Sequence, residues 1–318
     1  MTLSVEIAVK RTYKFGDWRQ KPHNWPVASF FIPPLMKTPP RLLPLLEDGL
    51  IDDVICQLMS GKEAQVYVVD CGGVRRCAKV FKDANHRSFK QAVQYQEGRT
   101  VRNSRRSRAM SKKTRFGQQE QESAWLNAEV EALRKLAAAD VRVPRPYTFV
   151  DGVLLMELIT AADGLTAPRL GDLELTAEVA RTYHAQILGE VVRMLCAGLV
   201  HGDLSPFNVL IDADGPVIID LPQAVNAAGN NSARMMLERD VSNMRTFFGR
   251  FAPELLEKDY GSEIWALYEA GDLHADSRLT GDFQPDDVTA DLVQLLAVIE
   301  AARKEEAERL ARASLAVD

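Results

Sequence analysis

The sequence predicts an α+β protein of two lobes, β-rich on the N-terminal side and mainly helical beyond. Two patterns carry this expectation: strand-like alternation over 54–81 and 147–159, and apolar residues at helical spacing from Ala180 onward. A third observation sets the scale. With 318 residues, 46% hydrophobic and 26% charged, the chain can bury a core without disulfides or a structural metal. Cys56, Cys71, Cys77 and Cys196 form no CxxC pair and no Cys/His cluster at zinc spacing, which points to a reducing cytoplasm.

Residues 1–48 are rich in proline and aromatics (Trp18, Trp25, Phe30, Phe31, Pro33, Pro34) and are expected to form an extended arm packed on the body, with a partner surface as the alternative. A three-strand antiparallel meander follows. Its strands are expected over 54–59, 65–69 and 75–81, with turns at Ser60-Gly61-Lys62-Glu63 and Gly72-Gly73. The next stretch differs in charge. Between Arg99 and Gly117 stand eight basic residues and no acid, in a chain of net charge −5. Together with Ser104, Ser107, Ser111 and Thr114 and almost no apolar residue, this marks a flexible loop over 83–122 that stays out of the core. Trp125, Ala128, Ala132, Leu133 and Leu136 predict a helix over 123–139, stopped by Pro144 and Pro146. Strands over 147–150 and 153–159 are joined by the hairpin pair Asp151-Gly152.

The second lobe is expected over 160–318, after an N lobe over 49–159. Its first helix carries the stripe Ala180, Tyr183, Ile187, Leu188, Val191 and Leu195 and stops near Gly198. Short strands over 209–211 and 217–219 come next, then helices near 232–250, 253–270 and 286–313. Some readings drop out. No repeat of 20 to 50 residues argues for a solenoid, no run of about eighteen apolar residues suggests a membrane span, and the start lacks the apolar core of a secretory signal. A cytoplasmic protein is expected.

The chemistry concentrates in His201-Gly202-Asp203-Leu204-Ser205-Pro206-Phe207-Asn208, followed by Asp220 at the end of Val217-Ile218-Ile219. Each Asp alone is an ordinary turn residue. Together, an Asp in a loop, an Asn five residues on and an Asp at a strand end can hold a divalent cation and receive a hydroxyl proton. Phosphoryl transfer needs that set, because Mg²⁺ prefers hard oxygen ligands and the attacking oxygen must be placed in line.

This string resembles the catalytic loop and metal-binding Asp of the protein-kinase-like superfamily. The resemblance implies a bilobal protein-kinase-like fold with Asp203 as catalytic base, Asn208 and Asp220 as Mg²⁺ ligands and His201 bracing the loop. It also implies a strand-borne lysine, which Cys77-Ala78-Lys79-Val80-Phe81 supplies, paired with an acid on the following helix, Glu129. Where most kinases carry GxGxxG, this chain has Ser60-Gly61-Lys62-Glu63-Ala64-Gln65-Val66-Tyr67. A P-loop of the Walker type is excluded by Cys56 at its first glycine position and Glu63 after the lysine. The loop instead closely resembles the nucleotide loop of RIO-type atypical serine/threonine kinases, and in particular the branch without a winged helix and its bacterial-type members.

That likeness extends over residues 50–252. It implies ATP held by Ser60, Gly61, Lys62, Glu63 and Lys79, a gatekeeper at Met156, and adenine contacts from the backbone of Glu157 and Ile159. Asp220-Leu221-Pro222 stands where kinases have DFG, and no APE-ending activation segment follows. The implied activity is Mg²⁺- or Mn²⁺-dependent phosphoryl transfer to Ser or Thr, on the chain itself (Ser104, Ser107 or Ser111) or on a protein, or slow ATP hydrolysis in which Asp220 takes up the phosphoryl group. The basic loop then reads as a solvated loop, an autophosphorylation segment, or a contact to RNA or a ribosomal particle. Two rivals remain: an aminoglycoside- or choline-type phosphotransferase, since those families share His-Gly-Asp-Leu, and a nucleotide-gated binding module without turnover.

Overall fold

The structure, a computed structural model, describes residues 38–61, 63–82 and 128–283. At its start the expected extended arm is instead helical. Pro40–Leu42 form a 3-10 turn and Leu43–Glu47 a short helix, α1, with prolines in the first turn of each, where a missing N–H is harmless. Leu42 and Leu45 are fully buried and pack with Ile51, Val54, Tyr67 and Val69 beneath the sheet. The earlier part of the arm lies outside the described residues.

The meander forms as expected: β1 (Asp53–Ser60), β2 (Ala64–Cys71) and β3 (Val74–Phe81) pair antiparallel. The hairpin of β4 (Pro146–Val150) and β5 (Val153–Glu157) completes a five-stranded sheet in the order β1-β2-β3-β5-β4. Strand β5 ends two residues earlier than its apolar run. Ile159 has left the sheet, and its carbonyl accepts the N–H of Ala167 at 3.0 Å, so the chain is already crossing to the second lobe. Helix α2, over 128–138, packs Val130, Leu133 and Leu136 inward. The basic loop, Trp125 and Lys62 lie outside the described residues.

In the second lobe, α3 (Ala177–Cys196) is capped by Thr176, whose hydroxyl accepts the N–H of Val179. Gly198, at φ +73°, turns the chain out of it. Two ribbons then follow: β6 (Leu199–Val200) pairs with β9 (Val225–Asn226), and β7 (Val209–Ile211) with β8 (Pro216–Ile218). The first ribbon has two residues per strand and gives no alternation to read. Helix α4 (Ala233–Phe248) matches the expected span. The single helix expected over 253–270 is broken in two: a 3-10 segment, Pro253–Glu257, and α5 (Tyr260–Ala270). Asp259 makes the break, because its N–H goes to Gly281 O while its carboxylate caps α5 at Ser262. The helix expected over 286–313 lies outside the described residues.

One apolar cluster runs from Val130, Leu133 and Leu154 through Leu170 and Ile187 to Phe248, so α2 and β5 share a core with the helical lobe. The cleft between the sheet and the helices therefore has a fixed floor. Among the described residues no helix is long and apolar enough to cross a membrane.

Candidate active site

Lys79 lies mid-strand on β3, between Ala78 and Val80, which are buried under the sheet. Strand alternation sends Lys79 to the other face, toward α2 and the cleft. Its Nζ donates to Glu129 Oε1 at 2.5 Å and to Asp220 Oδ1 at 2.9 Å. Three residues separated by 50 and 141 positions thus meet at one ammonium. Glu129 is 5% exposed and Asp220 46%, so one carboxylate is buried inside the N lobe and the other opens onto the cleft. Asp220 has φ +67°, a left-handed backbone rare for anything but Gly, Asn or Asp.

The loop from β6 to β7 carries the other groups. His201 is buried and accepts the N–H of Asp203 at Nδ1 (3.2 Å), which leaves Nε2 protonated to donate to Ile219 O (3.1 Å). The imidazole therefore ties the loop to the residue before Asp220. Asn208 donates from Nδ2 to Asp203 O at 2.9 Å, and its own carbonyl accepts the N–H of Ile219 at 3.0 Å. With the amide nitrogen so used, Oδ1 is the atom of Asn208 available to a cation.

Beneath this loop sits Asp240 of α4, a residue that sequence reasoning noted only as part of a helix. It is buried, and its two oxygens accept the N–H groups of Gly202 (2.7 Å) and Leu204 (3.1 Å), the neighbours of Asp203. Gly202 reaches this arrangement at φ +80°, which suits glycine. Asn243, one turn on, donates to Leu204 O, and Arg239 donates to Gly202 O. An acid and an amide three residues apart on one helix face were the available signal.

On the roof of the cleft, Gly61 N–H bonds Ala64 O, while Gly61 O accepts Lys82 Nζ at 2.6 Å. A Cβ at Gly61 would come no nearer than 3.4 Å to any neighbour, so packing does not demand glycine there. Ser60 is exposed at the end of β1, and Glu63 lies close enough to Glu129 to push its carboxyl pKa upward. At the crossing, Met156 is half-buried, Glu157 N–H is used by Arg145 O, and Ile159 O by Ala167. Two of the backbone groups at the expected adenine position, Glu157 N–H and Ile159 O, are thus already engaged.

Comparison with known sequences decides the family: the RIO domain matches residues 65–260, well over half of the chain. The chain belongs to the RIO family. The RIO-type serine/threonine-protein kinase Rio1 of Haloferax volcanii is 34% identical over 206 residues, covering 65% of this chain and 67% of that protein. The protein of the same name from Methanocaldococcus jannaschii is 30% identical over 236 residues, or 72% and 76%. Human serine/threonine-protein kinase RIO1 is 30% identical over 211 residues, which is 66% of this chain but 35% of the human protein. The chain thus spans about a third of its human relative.

Charge in the RIO cleft is uneven. Burial works to lower the Lys79 pKa, but Asp220 and Glu129 outweigh it and hold the ammonium above the usual lysine value. Lys79 in turn holds Asp220 below the usual aspartate range, helped by Arg169. Glu129 moves the other way, because burial pushes its carboxyl up more than Lys79 pulls it down. Asp203 is also raised: partial desolvation and the nearby Asp220 charge outweigh Arg239. A carboxylate raised in this way binds a proton more readily.

Burial pushes the Asp240 carboxyl up to about 6, against the two backbone N–H groups and Arg239. Because the folded value lies above the unfolded one, the group disfavours folding once ionised. Its contribution is therefore lost as pH rises from about 4 to about 6, on the order of 3 kcal/mol. In urea titrations, wild type should lose stability relative to Asp240→Asn between pH 4 and pH 7. A difference that stays flat over that range would refute the assignment of this carboxylate.

Proposed function

We propose that this RIO protein transfers the γ-phosphoryl group of ATP, with Mg²⁺, to Ser or Thr hydroxyls, including its own. The observation that carries this reading is the double contact of Lys79. One acid, Glu129, is buried and fixes the ammonium; the other, Asp220, stands half-exposed at the cleft, where a cation can compete for it. Lys79 keeps Glu129 and is free to exchange Asp220 for nucleotide phosphates, while Asp220 turns to the metal.

The donor set fits these groups. Asp220 and Asn208 Oδ1 are hard oxygen ligands, and two of them suit an ion that completes its shell from phosphates and water. The spare room at Gly61 suits close approach of a phosphate to the loop backbone. When bound, ATP supplies the phosphoryl group and Mg²⁺ neutralises its charge. Asp203, held by His201 and by the Asp240-pinned backbone on either side, orients the acceptor hydroxyl and takes its proton. Glu157 C=O and Ile159 N–H would read the adenine edge. Ser104, Ser107 and Ser111 are the candidate acceptors within the chain.

The test is phosphosite mapping of the full chain after incubation with ATP and Mg²⁺, run beside a screen of aminoglycosides, choline and sugars. Phosphate on Ser or Thr is the expected result. Fast turnover of a small molecule with no protein labelling would transfer the reading to the small-molecule phosphotransferases.

A further inference from the structure

Lys79 is shared between two carboxylates, and Asp203 adds a third to the same cleft. A site that must accept a polyanion needs more positive charge than that. The structure offers it at Arg169, a residue singled out by no sequence motif.

The main chain of Arg169 is pinned to the cleft floor. It bridges antiparallel to Leu210, two residues beyond Asn208. On one side Pro168 O accepts the N–H of Ile211 at 2.9 Å; on the other, Leu170 is fully buried. Arg169 O accepts the N–H of Asp172 at 3.1 Å. From this fixed root the side chain crosses to the roof, where Nη2 lies 2.7 Å from Sδ of Met59, the residue before Ser60-Gly61.

Among the described residues, that thioether is the hydrogen-bond partner of the guanidinium. The match is poor in kind. A thioether is a weak acceptor, whereas the guanidinium presents five N–H donors in a planar fork shaped for carboxylate or phosphate. Met59 is itself 40% exposed, so little packing holds the pair together.

We propose that Arg169 is a phosphate-binding residue: it leaves the Met59 sulfur when nucleotide arrives and forks onto the phosphate tail opposite Lys79. The proposal rests on the reading that the cleft binds ATP. It adds a second cation, delivered from the floor, to the lysine delivered from the roof.

Calorimetric titration of the full chain with adenosine, AMP, ADP and ATP, in Mg²⁺, separates the possibilities. Arg169→Gln should weaken ATP and ADP about ten- to a hundredfold, as expected for a lost charge-assisted hydrogen bond, and leave adenosine unchanged. Arg169→Lys, which keeps charge without the fork, should lose less. Met59→Leu should bind ATP at least as well as wild type, and the melting temperature without nucleotide should be the same for all four proteins. Equal ATP affinity in Arg169→Gln and wild type overturns the proposal. So does an equal loss for adenosine and ATP, or a loss in Met59→Leu as large as in Arg169→Gln, since either would make the pair a latch between lobes. Wild type binding none of the four ligands defeats the nucleotide reading itself and takes this proposal with it.

Discussion

Asp203→Ala is expected to lower phosphoryl transfer about 10²–10⁴-fold, the range for a positioned general base, with ATP affinity unchanged. Asp220→Asn should reduce transfer about 10²–10³-fold or more, as for loss of a group facing developing charge, and should weaken Mg²⁺-dependent nucleotide binding as well. The contrast follows from geometry. Asp203 touches neither Lys79 nor Asn208 through its carboxylate; its loop is held by backbone contacts to His201, Asn208 and Asp240, all of which survive truncation at Cβ. Asp220, by contrast, contacts the ammonium directly. Asparagine is the right replacement at 220 because the backbone there is left-handed at φ +67°, which Asn tolerates and Ala does not. Transfer and nucleotide titrations on the two variants check the split, and an Asp203→Ala enzyme that turns over like wild type removes Asp203 as the base.

The candidate site was legible in the sequence to the extent that phosphoryl transfer, the chemistry proposed for it, constrains residue type and spacing together. Asp203, Asn208 and Asp220 sit within twenty residues, on a loop and the hairpin after it. Lys79 and Glu129 required a resemblance as well, since a lysine on a strand and a glutamate on a helix are individually commonplace. What stayed hidden acts through the backbone or through unlike partners. Asp240 occupies a helix position that any solvated acid could fill, and only the tertiary fold brings it under Gly202 and Leu204. Arg169 is marked by its contact with a methionine, a pairing no charge pattern predicts. The β6–β9 ribbon pairs through two residues on each side, too short for alternation to register. At 40–47, prolines argued for extended chain, whereas their place in the first turns of two short helical segments is equally favourable. The helix expected over 253–270 failed on a capping residue: Asp259 bonds Ser262 and Gly281 in place of continuing the turn.

The buried half of the Lys79 contact makes a stability prediction that catalysis does not. Lys79→Met leaves Glu129 buried, with Oε1 deprived of its cation and Oε2 already without a hydrogen-bond partner among the described residues. Stranding a charge this way costs about 3–5 kcal/mol. The pH dependence has a definite sign. Burial already holds the Glu129 carboxyl above its ordinary value, and removing Lys79 removes the charge that opposed burial, so the folded pKa rises further. A raised folded pKa means the variant is least penalised when Glu129 is protonated. Its deficit should appear above about pH 4.3 and grow until the pH passes the folded value. Asp220 contributes little to this, because it is half-exposed and water can solvate it. Replacing the acid as well, in Lys79→Met/Glu129→Leu, should recover most of the loss and flatten the pH dependence, while phosphoryl transfer remains absent in both variants. Urea unfolding at pH 5 and pH 8 of wild type, both single variants and the double variant measures the cycle. Single-variant losses that simply add in the double variant would mean that Lys79 and Glu129 are not coupled, and the anchor assumed for Lys79 in the proposed reaction would be lost.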